Sequence, residues 1–125
     1  MEPLPQWPVK LRLIRPEAPR FHQADFVLVA DCAPLACPDL HARFLAGRVV
    51  AIGCPKFGDH DLYREKLRAL IEQAALRSIR VVYMEVPCCG GLPYLVRRVL
   101  ENSDIPLETV MLSVSGEVLE TTATA

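Results

Sequence analysis

Four short apolar runs set the rhythm of the chain. Phe26-Val27-Leu28-Val29 lies within Asp25 to Ala30, Val49-Val50-Ala51-Ile52 within Arg48 to Gly53, and Val81-Val82-Tyr83-Met84 within Ile79 to Glu85. Thr109 to Val114 is a fourth. Runs this short, continuous rather than alternating and rich in β-branched residues, predict strands buried on both faces. Between them the apolar spacing becomes helical. Pro38 to Ala46, stopped by Gly47, predicts a short helix. A cap at Asp59 or Asp61 predicts a longer one to about Arg77, with Tyr63, Leu67, Leu70, Ile71 and Ala74 on one face. A third opens at Pro93, its Leu92, Leu95, Val96, Val99 and Leu100 at i, i+3, i+4, i+7 and i+8. Strands alternating with helices predict an α/β, three-layer, flavodoxin-like or Rossmann-like open sheet, mostly parallel, with about four core strands.

The two ends are less regular. Five prolines punctuate residues 1–20, where Val9, Leu11 and Leu13 alternate with Lys10 and Arg12, predicting an N-terminal edge strand in a Pro-rich arm. Trp7 is expected to anchor that arm by packing. Ser115-Gly116 is expected to turn the fourth strand into a short hairpin with Val118-Leu119, leaving 121–125 as a frayed tail. With 125 residues, 51% of them apolar, the expectation is a single α/β domain with one well-filled core.

Charge removes some functions. Fourteen basic and fifteen acidic residues leave a net charge of -1, and no aromatic ladder is present, which argues against a nucleic-acid binder. No apolar run approaches the roughly 18 residues of a membrane span, so no membrane insertion is expected. The N-terminus lacks a basic stretch followed by an apolar one, so the expected location is cytoplasmic.

The cysteines carry the candidate chemistry. Five is an odd number, and in a cytoplasmic chain it argues against a disulfide framework. Cys32 follows the first core strand, Cys54 the second, and Cys88 and Cys89 the third. In a parallel sheet the carboxyl ends of the strands meet at one rim, where open α/β folds place their ligand sites. Thiols distant in sequence are therefore expected to converge there. Pro34, Pro38, Pro55 and Pro87 stiffen these connections, and Gly90-Gly91 permits close backbone approach. Cys88 and Cys89 precede a helix start, which favours thiolates, and Lys56 and Arg43 offset part of the charge. The competing reading is inert, half-buried thiols. Cys37, just before Pro38, is either a fifth ligand or a packing residue. Asp31 and Glu85 end strands beside cysteines and either ligate or cap loop amides. His41 and His60 read as helix-surface residues, and His22 as solvated.

Structural zinc sites pair ligands in CxxC or CxxxxC knuckles, and only Cys32 and Cys37 have such spacing. Four thiolates from three loops, two of them vicinal, suit an iron–sulfur cluster, expected as [4Fe-4S], since separate iron corners can take neighbouring thiols. A catalytic Cys88 or Cys89 with His41 or His60 as base is another option. A phosphatase loop fails because Tyr94 and Leu95, not an arginine, stand six positions after the thiols, there is no CxxC redox motif, and Gly53 to Gly58 lacks the complete phosphate-loop pattern.

Trp7-Pro8-Val9, Ala30-Asp31-Cys32, Gly53-Cys54-Pro55-Lys56 and Glu85 to Gly90 together resemble a domain of bacterial and archaeal ferredoxin-family iron–sulfur proteins. The resemblance spans roughly Trp7 to Ser115, but the CxxCxxCxxxCP run of the ferredoxin segment is absent. It implies cluster ligands at Cys32, Cys54, Cys88 and Cys89, anaerobic redox metabolism, and docking with a ferredoxin or another redox protein. The site architecture is also similar to the cluster-bearing small subunits of respiratory complex I and nickel–iron hydrogenase. Two further functions stand beside electron transfer: a zinc-binding or thiol-based accessory enzyme using the same cysteines, and an interaction module in which they are incidental.

Overall fold

The computed structural model describes residues 7–54, 60–86, 90–101 and 103–123. Five strands form one sheet: β1 (Asp25–Ala30), β2 (Val49–Gly53), β3 (Ser78–Met84), β4 (Leu107–Leu112) and β5 (Val118–Ala123). Their order is β2-β1-β3-β4-β5, the first four parallel and β5 antiparallel to β4. The expected three-layer, mostly parallel α/β architecture is therefore present. β1 is an interior strand, flanked by β2 and β3, and every residue from Phe26 to Ala30 is buried, as its uninterrupted apolar run requires.

Three helices cover the sheet: α1 (Ala33–Ala36), α2 (His60–Glu72) and α3 (Gly91–Val99). Right-handed crossovers with this strand order put α1 on one face and α2 with α3 on the other. α2 and α3 pack against each other, and α1 lies against β3. Leu67 and Leu70 of α2 and Leu92 and Val96 of α3 are fully buried.

Several expectations need correction. The helix over Pro38 to Ala46 is instead the short α1 followed by a single π-helical turn, His41–Leu45, with Gly47 at a φ of +75° ending it. Prolines at 34 and 38 prevent one continuous ladder of amide bonds there. α2 ends at Glu72, not near Arg77, because Ala75 adopts a left-handed φ of 52°. α3 begins two residues before Pro93, whose missing N–H is not needed in a first turn.

Among the described residues the arm pairs with the sheet through a bridge of Lys10 to Ile52, then folds into a turn that buries Leu11 and Ile14 and leaves Leu13 exposed. Trp7 is 81% exposed, so it is not the arm's anchor; Arg20 bonds the Trp7 and Pro8 carbonyls instead. β5 runs to Ala123, well into the segment expected to fray, and Thr122 bonds Thr109 across the ladder.

The amino end of the sheet is closed by a network of charges. Asp25 pairs with Arg77 and accepts from Ser78 at 2.6 Å. Arg48 donates to the Phe26 carbonyl at 3.2 Å and to Ser78 at 3.4 Å. On the facing strands Arg80 pairs with Glu108, its register partner, and donates to the Phe44 carbonyl at 3.0 Å.

Candidate functional site at the carboxyl end of the sheet

The strand order fixes where a crevice opens. β1 and β3 are neighbours, yet β1 is followed by a crossover to β2 and β3 by one to β4, in opposite directions. Loops leaving two such strands diverge and leave a gap between them. Cys32 is two residues beyond β1, and Cys54 directly follows β2. Cys88 and Cys89 belong in sequence to the connection between β3 and α3 and lie outside the described residues, as do Pro55, Lys56, Phe57 and Pro87.

The first two connections are tied together. Ala30 and Gly53 are register partners, and the Asp31 amide donates to the Gly53 carbonyl at 3.1 Å. A Cβ at position 53 would lie 3.2 Å from the Tyr63 ring, so glycine lets that buried ring close over the end of β2. The Tyr63 hydroxyl in turn accepts from the Cys54 amide at 3.1 Å. Thus a core residue of α2, legible in the sequence only as apolar, positions the backbone of a candidate ligand.

A second brace was not legible at all. The turn between β4 and β5 places Gly116 at a φ of +88°, so close to α1 that a Cβ there would overlap the Ala36 carbonyl oxygen. Ser113 holds the turn, its hydroxyl accepting from the Ser115 and Glu117 amides at 3.2 and 3.1 Å. The hairpin therefore braces the segment that carries Cys32, on the side of β3.

The described cysteines differ sharply. Cys32 is exposed and Cys54 half-buried, and neither sulfur engages a described residue. Cys37 is a core residue, 1% exposed, and its thiol donates to the Asp39 carboxylate at 3.1 Å. Burial, with that hydrogen bond and the charge of Asp39, pushes the Cys37 thiol above its ordinary pKa and keeps it protonated. It has the environment of a packing residue, not of a thiolate ligand.

Asp31 stands beside Cys32, and partial burial raises its carboxyl above the usual value, with Lys10 acting in the opposite direction. Glu85 is exposed, and its amide donates to the Leu112 carbonyl at 2.8 Å. His41 lines an apolar cleft with Cys37, Pro34 and Pro38; His60 opens α2; and Arg43 pairs with Asp39 at 3.6 Å. Among the described residues no three His, Cys, Asp or Glu side chains gather as a metal site.

A family model described as a Rossmann-like domain matches residues 18–125. The chain belongs to the Rossmann-like domain family. A protein of Archaeoglobus fulgidus, itself described only as uncharacterized, is 34% identical over 120 residues, covering 94% of this chain and 84% of that protein. No solved structure matches. The resemblance to a ferredoxin-family domain is thereby overturned: the matching family is Rossmann-like, and neither match carries a ferredoxin or iron–sulfur description. The shared motifs were short tripeptides and strand ends, which any parallel sheet with cysteines in its connections can present. In this Rossmann-like chain no helix among the described residues is long and apolar enough to cross a membrane.

Proposed function

We propose that the carboxyl end of this sheet binds an iron–sulfur cluster through Cys32, Cys54, Cys88 and Cys89, and that the protein exchanges electrons with a separate redox protein. The observation that carries the reading is topological. Both strands flanking the crevice, β1 and β3, lead into cysteine-bearing connections, and β2, on the other side of β1, leads into a third. The contact of α1 with β3 supports it, because the Cys32 segment leans toward the strand that precedes Cys88 and Cys89.

The donor chemistry fits. Thiolates are soft ligands suited to iron–sulfur clusters and zinc; Cys32 is exposed, Cys54 is partly exposed, and neither sulfur engages a described residue. When bound, a cluster supplies one-electron transfer. The chain's own contribution is to hold the loops in place through Tyr63 and Gly116. The three free thiols among the described residues favour a reducing, cytoplasmic setting.

The test is anaerobic purification and reconstitution followed by iron, sulfide and EPR measurement. Stoichiometric iron and sulfide, lost in Cys88→Ser and Cys54→Ser, are the expected result. Stoichiometric zinc without iron after reconstitution would overturn the cluster in favour of a zinc site.

A further inference from the structure

A row of basic side chains runs along the outer face of α2. His60, Arg64 and Arg68 recur every four residues and line one wall of a groove of about 450 Å³. Tyr94 and Arg98 of α3, with Glu101 beyond it, line the other wall. Three guanidiniums thus line one groove with the carboxylate of Glu101, in a chain whose net charge is -1.

These charges are only partly answered. Arg64 bonds Asp61 at 3.2 Å, and Arg98 lies 3.6 Å from Glu101 while donating to the Tyr94 hydroxyl at 3.3 Å. Arg68 is exposed and engages no described residue. Arginines four apart on one helix repel, so the Arg64–Arg68 spacing weakens α2. The amino end of the sheet shows the opposite practice, with Arg77 paired to Asp25 and Arg80 to Glu108.

We infer that the α2–α3 groove docks the acidic face of a partner protein. Its position decides what the docking would serve. The groove begins at His60 and Gly91, the first residues of the helices that follow the Cys54 and the Cys88–Cys89 connections. A partner seated there abuts the thiol-bearing rim. A protein is favoured over a small anion because Arg68, Tyr94 and Arg98 are all exposed, whereas small-ligand sites enclose most of their ligand. An open row of charge acts best on another extended charged surface, steering encounter and setting orientation. Tyr94, 59% exposed at the rim, supplies the aromatic contact such interfaces favour. The surface rests on charge and shape; the partner's role as electron carrier rests on the cluster reading above.

The test measures binding of the intact chain, as purified, to an acidic ferredoxin by biolayer interferometry at low and high salt. Affinity is expected to fall about tenfold between roughly 50 and 300 mM NaCl, as screening of exposed charges requires. Arg64→Glu with Arg68→Glu is expected to weaken low-salt binding by at least about tenfold. The milder Arg68→Gln, whose side chain is exposed and whose folding is checked by circular dichroism, should lose part of it. Arg12→Glu, a charge reversal on the arm, should leave it unchanged. No binding, equal loss in the Arg12 variant, or no loss in the α2 variants would overturn the inference. So would competition by inorganic phosphate at constant ionic strength, which would assign the groove to a small anion. Iron content separates the two proposals: docking without a cluster sinks the cluster alone, and a cluster retained in a chain that does not dock sinks the surface alone.

Discussion

The two ends of the sheet are built from different chemistry. At the amino end, Asp25, Arg77, Ser78, Arg48, Arg80 and Glu108 are engaged with one another or with backbone carbonyls. At the carboxyl end, the sulfurs of Cys32 and Cys54 engage no described residue, although the backbone carrying them is bonded to Tyr63 and Gly53 and braced by Gly116. One end spends its polar groups internally, and the other holds its frame rigid while leaving its reactive atoms unengaged. Structural groups satisfy each other; groups kept for a ligand are positioned and left open.

The largest expected effect tests the frame. Gly116→Ala forces an alanine to a φ of +88° and drives its Cβ into the Ala36 carbonyl, so the turn or α1 must move. A loss of about 3 kcal/mol is expected from the left-handed backbone and the overlap together, read by urea denaturation. A loss near zero would mean that the turn does not brace the Cys32 segment.

Next comes the amino end. Arg80 and Glu108 are largely buried, with side chains 20% and 33% exposed, so Arg80→Ala leaves a half-buried carboxylate unpaired. About 2 kcal/mol should be lost. Arg80→Met with Glu108→Leu should recover most of it, because an apolar pair of similar volume needs no desolvation. Failure to recover would show that the Phe44 carbonyl, not Glu108, is the partner that matters.

How much of this contrast the sequence discloses depends on the range of the interactions. The parallel strands are legible because burial on both faces leaves no polar alternation in runs such as Phe26 to Val29. The cysteines' position after those strands follows from the strands. Local punctuation is less reliable: Pro38 reads as a helix start, yet with Pro34 nearby the chain makes α1 and a π-helical turn. The braces at Gly53 and Gly116 depend on Tyr63 and Ala36 arriving from other elements, and nothing in the turn sequence names them. Arg80 and Glu108 had a usable signal, since each is the lone charge inside an apolar strand and two such residues tend to be register partners. Cys37 shows the limit most plainly. Its spacing from Cys32 suggests a ligand pair, and only the turn between them reveals that one faces solvent and the other the core.

Acid should weaken the amino end in a defined window. The hydrogen bond from Arg77, then that from Ser78, lowers the Asp25 carboxyl from 3.8 to about 2. A depressed carboxylate contributes stability that is fully present above its unfolded pKa and is lost as pH falls through the folded value. Arg77 is 71% exposed, so solvent screening reduces the contribution to about 1 kcal/mol. Asp25→Asn should therefore cost that amount at pH 7, and the gap to wild type should close between pH 4 and about 2. A gap independent of pH would assign the loss to geometry rather than to charge.

The smallest expected effect is the most discriminating. Cys32→Ala removes a sulfur that is exposed and contacts no described partner, so in metal-free protein the loss should stay below about 0.5 kcal/mol. Cys37→Ala removes the same atom from the core, together with its bond to Asp39, and should cost about 1 to 2 kcal/mol. Both measurements use chemical denaturation in reductant and chelator. The pair separates position from residue type, because the side chains are identical and only their surroundings differ. If Cys32→Ala costs as much as Cys37→Ala, Cys32 is a structural thiol and the carboxyl end resembles the amino end after all. If it costs almost nothing yet abolishes iron binding, the chain keeps that sulfur for what it holds and not for how it folds.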